Sequence, residues 1–230
     1  MQAPKRRASP KRDGAHKRTR KPAYHQGLTR DGIAAAALAL VDREGLDALS
    51  YRRLAEAIGC EAMSLYHYYP SKAHLIDAVV DRVFGALEIP PAGGDWIARL
   101  RQAAFNYRAM ALAHPKLYPL LAVHRMNTGV GVRKLDAVIG LFRDGGFDDA
   151  IAARLFREFG YYITGAALDE TAGYAKGPSA TEPASEAEIA RDCPNLAAVA
   201  PYFKPQHFEP TFAQGLDLLL DGIARLRKKA

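Results

Sequence analysis

The stretch LSYRRLAEAIGCEAMSLYHYYPSK, residues 49–72, decides how this 230-residue chain is read. With Tyr51 as the first position, Ala55 is fifth, Gly59 ninth and Leu65 fifteenth. Two short helices that cross steeply need a small residue where they touch, which Ala55 supplies. The turn between them needs a residue tolerant of left-handed backbone angles, which Gly59 supplies. Leu54, Ile58 and Leu65 recur at helical spacing and form an inward apolar set. Ala62, Met63, Ser64, Tyr66, His67 and Tyr68 form the outward set of the second helix. This is the pattern of a helix-turn-helix, which lays its second helix in the DNA major groove. An ordinary hairpin in an all-helical core shares the apolar spacing and is the alternative.

Working outward, Thr29 is placed to cap a helix that runs to Glu44 and stops at Gly45, with Asp31 complementing its dipole. Ile33, Ala37, Leu40 and Val41 form its apolar face. Ser50 caps the next helix through Ala57, the second motif helix covers about 61–68 before Pro70, and Ser71 caps a longer helix through Leu87. Glu88-Ile-Pro-Pro-Ala-Gly-Gly94 is the clearest punctuation in the chain and marks a domain boundary. Further amphipathic helices are predicted at about 95–113, 115–126, 130–144, 148–174 and 207–228. The Pro-rich stretch 175–206 reads as a loop with one helical turn near 185–192. No segment alternates with strand period and no internal repeat is present. The expected fold is all-α: an N-terminal three-helix helix-turn-helix domain, residues 28–88, and a larger helical domain, residues 95–230, for ligand binding and dimerisation.

The net charge is +7, and its distribution is uneven. Residues 1–27 hold nine Lys/Arg and one Asp, a net of +8, so the remaining 203 residues carry −1. This arm is rich in Pro, Gly and Ser, lacks apolar periodicity, and is expected to be disordered in isolation. Its position before a DNA-binding motif favours a phosphate-binding tail; a merely solubilising tail is the other reading. No apolar run reaches the roughly 20 residues a membrane helix needs. Asp31 and the lack of a small-x-small cleavage site argue against a secretory signal, and the expected location is the cytoplasm. Cys60 and Cys193 give neither a disulfide framework nor metal-ligand spacing. Cys60, in the motif's turn, reads as a small buried apolar residue.

The N-terminal part resembles the TetR/AcrR family of bacterial transcriptional regulators. The resemblance rests on Ala36-Leu-Ala-Leu, Glu44-Gly-Leu-Asp-Ala-Leu-Ser50, Arg53-Leu-Ala-Glu-Ala-Ile-Gly59 and, most specifically, Met63-Ser-Leu-Tyr-His-Tyr-Tyr-Pro-Ser-Lys72 followed by Leu75. The later part resembles the tetracycline-repressor type of C-terminal domain through Trp96, Arg99 and Leu100, Ala113-His-Pro115, Gly145-Gly-Phe147 and Gly165-Ala-Ala-Leu168. The resemblance implies an obligate homodimer, a ligand cavity in each C-terminal domain, and release of DNA when a small-molecule effector binds. It also implies DNA contacts at Ser50, Tyr51 and Arg52, at Ala62, Met63, Ser64, Tyr66, His67 and Tyr68, and a phosphate contact at Lys72. The chemistry agrees: Arg52 and Ser64 suit base edges or phosphates, Ala62 and Met63 suit thymine methyls, and tyrosines join an apolar body to a hydroxyl. Tyr69 is the expected core residue of the cluster. Tetracycline repressors carry a metal-binding His near the end of the sixth helix. Alignment on the Trp96 segment puts Leu121 there, so no magnesium–tetracycline binding and no metal are expected.

In the C-terminal domain, Gly160, Gly165, Ala166 and Ala167 permit close helix approach, and Phe212, Leu216, Leu219, Leu220, Ile223 and Leu226 share one broad face of the last helix. Two such helices from each of two subunits would form a four-helix interface; the alternative is that this face closes the monomer's own core. Tyr107, Met110, Leu121, His124, Arg125, Val138, Phe156 and Tyr162 are the candidate effector-pocket residues, an apolar set with His124 and Arg125 as convergent polar groups. Arg125 exposed at the surface, or paired with Asp169, is the competing placement. No nucleophile elbow, phosphate-cradling loop or His-rich metal spacing is present, so neither catalysis nor a cofactor is expected. The function read is a repressor that binds a palindromic double-stranded operator as a homodimer, without membrane association, and leaves it on binding an effector. A ligand-independent DNA-packing protein, or a regulator controlled by a protein partner, are the alternatives.

Overall fold

The structure is a computed structural model that describes residues 28–173 and 180–227. The basic arm, and the expectations placed on it, lie outside the described residues. Those described form α-helices and short 3-10 turns, with no strand among them.

The helix-turn-helix head is built from α1 (Arg30–Glu44), α2 (Tyr51–Ile58), α3 (Ala62–Tyr66) and the N-terminal part of α4 (Lys72–Ala86). Local chemistry sets each end. Thr29, Ser50 and Ser71 accept backbone N–H bonds from Gly32, Arg53 and His74, which cap α1, α2 and α4. Gly59 takes the left-handed conformation (φ 70°, ψ 38°) that ends α2 and turns the chain into α3. Ile33, Leu40, Val41, Leu54 and Leu65 are buried together with Val79, Val80 and Val83 of α4.

The body comprises α5 (Trp96–Ala113), α6 (Tyr118–Leu121), α7 (Gly129–Asp144), α8 (Asp149–Ala172), α9 (Glu186–Asp192), α10 (Pro194–Val199) and α11 (Phe208–Arg227). Two expectations are corrected here. The helix predicted over 115–126 is a single turn: Pro119 has no N–H to give and sits in the first turn, so the helix does not begin at 115, and it ends at Leu121. The stretch 175–206 is more helical than a loop over its described part. Ser185 and Glu188 form a reciprocal capping box at α9, and Pro194, Pro201 and Pro205 occupy first-turn positions of α10 and two 3-10 turns.

Side chains pack in two apolar clusters that do not divide at the 88–94 linker. The head's cluster extends into the body, taking in Met110, Ala111, Leu117, Tyr118 and Leu121. The second joins Trp96, Leu100, Phe142, Leu155 and Phe159 to Phe212, Leu216, Leu220 and Ile223 of α11. The broad face of the last helix therefore closes the subunit's own core from Phe212 to Ile223, while Leu226, expected on the same face, is exposed. Leu218 also points outward, 69% exposed.

Tyr162 of α8 lies against α11 and donates its hydroxyl to the Phe212 carbonyl at 2.6 Å. A Cβ on Gly215 would stand 2.5 Å from that hydroxyl. Gly215→Ala is expected to lower unfolding free energy by about 1–3 kcal/mol through overpacking. Gly140→Ala, whose Cβ would meet nothing within 4 Å, is expected to be neutral or stabilising by up to about 1 kcal/mol. Urea denaturation followed by far-UV circular dichroism checks both.

Candidate nucleic-acid interface and effector site

α3 is only five residues long, and its orientation comes from its neighbours. Leu65 is fully buried, and Ala62 and Ser64 are half-buried. Met63 (70% exposed), Tyr66 and His67 face outward. Just beyond, the Tyr68 hydroxyl donates to the Leu28 carbonyl at 3.1 Å, and the Tyr69 hydroxyl to the Arg30 carbonyl at 2.9 Å. The guanidinium of Arg30 lies over the Tyr69 ring, 5.3 Å from its centroid. These bonds fasten the end of the α3 segment to the start of α1. Tyr69 is buried, as its reading as a core residue required.

Two tyrosines differ from expectation. Tyr51, expected to be a DNA contact, is only 9% exposed, and its hydroxyl donates to the Tyr69 carbonyl at 2.6 Å. Its ring is stacked beneath Tyr66, with centroids 4.2 Å apart and planes 16° from parallel. Tyr51 therefore props Tyr66 up rather than pointing outward itself. Tyr68, expected outward, is half-buried and engaged by Leu28. The phase of a short helix against its partners decides such placements, and periodicity alone does not supply it. Burial pushes the Tyr51 and Tyr69 hydroxyls above the usual phenol range, with Tyr66 adding to the effect on Tyr51. Both remain protonated donors at neutral pH.

At the start of α2, Ser50 is exposed, although its Oγ serves as the cap. Arg52 carries a side chain 85% exposed, 4.0 Å from Glu56. Arg53 is held by Glu44, whose carboxyl lies below its usual range, first through its hydrogen bond with Arg43 and then through the Arg53 charge. Lys72 is exposed at the first position of α4. Cys60 is half-buried, and burial pushes its thiol up.

The eight candidate pocket residues divide between the two apolar clusters and the surface. Met110 and Leu121 are buried in the head-side cluster, whereas Val138, Phe156 and Tyr162 pack on the other. Tyr107 touches both clusters. Its hydroxyl accepts from the fully buried Tyr118 at 3.0 Å and lies 3.4 Å from the Thr164 hydroxyl. Phe156 opens onto an outer cleft of about 400 Å³ shared with Ile139, Arg143, Asp149, Ala152, Ala153 and Arg157. Arg125 is exposed. His124 is half-buried and donates from Nε2 to Asp77 of α4 at 3.0 Å. Leu121 offers no donor atom, so this position does not fit a metal ion. Among the described residues no group of three or more His, Cys, Asp or Glu is placed to hold one.

Sequence reasoning missed several groups that the structure brings together. Thr128 bonds Asp81, one helical turn from Asp77 on α4, and His114 reaches Asp42 of α1 at 3.0 Å. With His124, these bonds join the body to the head. Arg108 forms a buried ion pair with Glu170 at 2.8 Å and also reaches Glu209. These partners lie 47–101 residues apart, beyond any local motif.

The family model for bacterial regulatory proteins of the tetR family matches residues 33–79, and that for the tetracyclin repressor-like C-terminal domain matches residues 90–227. The chain belongs to the TetR family. It is 30% identical to the class A tetracycline repressor of transposon 1721 from Escherichia coli, over 85% of this chain and 90% of that protein. A protein from Streptomyces coelicolor A3(2), described as a possible TetR family transcriptional regulator, superposes with a TM-score of 0.70 at 32% identity, covering 86% of this chain and all of that one. The TetR family protein ActR from the same organism, solved with actinorhodin, gives 0.69 at 28% identity, over 86% and 96%. This TetR-family chain thus shares both its head and its body architecture with transcriptional regulators.

Tyr51→Phe removes the buried hydroxyl bond while keeping the ring. It is expected to lower stability by about 0.5–1.5 kcal/mol, read as a reduced urea midpoint with unchanged slope.

Proposed function

We propose that this TetR-family chain is a repressor that acts as a homodimer, gripping a palindromic operator through paired α3 helices and releasing it when a small-molecule effector binds the body. The observation that carries the reading is the outward edge of α3: Met63, Tyr66 and His67 face solvent on a helix whose other side is locked, with Tyr66 seated on Tyr51. Arg52 and Lys72 flank this edge as exposed cations, and Ser50, Ser64 and Ala62 complete the contact surface. Residues 28–88 serve as the DNA-binding domain and 95–230 as the ligand-binding and dimerisation domain. Such work takes place in the cytoplasm and needs no turnover chemistry. Among the described residues no helix is long and apolar enough to cross a membrane.

Dimerisation is supported by surface that the subunit leaves uncovered. Tyr161 and Gly165 of α8, and Leu218, Gly222 and Leu226 of α11, are exposed on the outer faces of the two helices. A Cβ on Gly165 or Gly222 would meet nothing within the subunit, so neither glycine is needed for its internal packing. Leu196, Val199, Tyr202 and Phe203 add a second exposed apolar stretch between α8 and α11. A dimer then sets the two reading helices about 34–36 Å apart, one DNA turn.

Effector control is supported by the grip of body on head. His124 and Thr128 hold Asp77 and Asp81 on α4, and His114 holds Asp42 on α1. A ligand that favours a different α4 setting, through unequal affinity for the two states, needs a coupling of only about 1–3 kcal/mol to weaken DNA binding 5- to 150-fold.

An operator selected from random duplexes tests this reading. Tyr66→Ala and Arg52→Ala are each expected to weaken its binding at least about tenfold with the dimer intact; unchanged affinity for Tyr66→Ala rejects the proposed orientation. Leu218→Glu is expected to yield monomers in analytical ultracentrifugation and to lose operator binding. Equal retention of random and selected DNA by the native chain would favour a DNA-packing role instead.

A further inference from the structure

Tyr66 is 44% exposed on the outer edge of α3. A side chain with that much room ordinarily divides its time among about two or three staggered χ1 wells. Only one setting of the ring fits a given base pair, so the others are lost to recognition. In this head the freedom is removed. The Tyr51 ring lies 4.2 Å from that of Tyr66 and 16° from parallel, so one whole face of Tyr66 is covered by a stacked partner.

Tyr51 is itself held at both ends. Its backbone stands at the first position of α2. Its hydroxyl donates at 2.6 Å to the carbonyl of Tyr69, whose own N–H bonds the Leu65 carbonyl at 3.0 Å and closes the end of the α3 segment. The ring between these ends is only 9% exposed and packs in the head's core. Tyr51 is therefore a crossbar from α2 to α3. Arg52, the next residue along α2, keeps its side chain 85% exposed. The crossbar thus fixes where Arg52 stands relative to Tyr66, two outward groups carried on different helices.

We propose that Tyr51 is a positioning residue for operator recognition: without touching DNA it holds Tyr66 in the setting that reads the operator, and so governs sequence preference rather than general affinity for duplex. The proposal rests on the reading of α3 as the DNA-facing helix. Non-specific binding comes from cations that meet phosphates, and the Tyr51 ring supplies none. The size of the effect follows from rotamer populations. A Tyr66 released into two or three wells keeps the competent one in about a third to a half of heads, and apparent affinity falls by that fraction. An operator that engages both heads of a dimer multiplies the loss to about 4–9-fold.

The test follows binding to a selected operator duplex and to a random duplex of equal length by fluorescence anisotropy at one salt concentration. It compares the native chain with Tyr51→Phe, Tyr51→Leu, Tyr51→Met, Tyr66→Ala and the double variant Tyr51→Leu/Tyr66→Ala, each with its urea midpoint. Leu and Met both fill apolar space without a ring, so either one that folds gives the reading. The ringless variants are expected to lose about 4–9-fold on the operator and less than about twofold on the random duplex. Tyr51→Phe keeps the stack and should bind the operator within about twofold of native despite its lower urea midpoint, which separates positioning from stability. If Tyr51 acts through Tyr66, Tyr51→Leu should add less than about twofold to the loss already caused by Tyr66→Ala. Equal losses on both duplexes, a Tyr51→Phe as weak as the ringless variants, or a full further loss in the double variant overturns the proposal. So does undiminished operator affinity in the ringless variants; a Tyr66→Ala that still weakens the operator then leaves the α3 reading standing. Undiminished operator affinity for Tyr66→Ala removes the α3 reading itself.

Discussion

A helix of five residues makes little more than one turn of hydrogen bonds and does not hold its own orientation. Everything proposed for this protein depends on how α3 is braced. Leu65 anchors it to the head's core, Tyr51 lies flat beneath Tyr66, and the hydroxyls of Tyr51, Tyr68 and Tyr69 bind backbone carbonyls at the end of α3 and the start of α1. Three of the four tyrosines in this region therefore serve structure. Their bracing leaves Tyr66, together with Met63 and His67, presented outward on a fixed frame.

That frame is continuous with the body. The head's apolar cluster takes in Met110, Leu117, Tyr118 and Leu121, so α6 and the end of α5 belong to the packing of the DNA-binding half. Tyr107 touches both clusters and accepts a bond from Tyr118. Polar contacts at Asp42, Asp77 and Asp81 tie α1 and α4 to the body from outside the apolar packing. A rearrangement of α5, α6 or the segment before α7 thus has several direct ways to move α4, and through it the reading helix.

The features legible in the sequence were those governed by local chemistry. Thr29, Ser50 and Ser71 announce helix starts because their side chains satisfy nearby N–H groups, and Gly59 announces the turn because its backbone conformation strains other residues. The family motifs around α3 were legible for the same reason. Placements that depend on helix phase against distant partners were not. Tyr51 and Tyr68 turned inward, His124 turned to α4, and the broad face of α11 closed the subunit's own core. Pro119 and Pro194 are instructive in opposite directions, since one shortened an expected helix and the other began an unexpected one. The Arg108–Glu170 pair bridges 62 residues and left no local sign at all.

The central claim is that two identical α3 edges meet DNA together, one helical turn apart. Hydroxyl-radical and methylation footprinting of the chain on its selected operator measures this directly. The account predicts two equivalent protected stretches on one face of the duplex, with major-groove centres 10–10.5 base pairs apart. A single protected stretch, or protection without a fixed spacing, would contradict it.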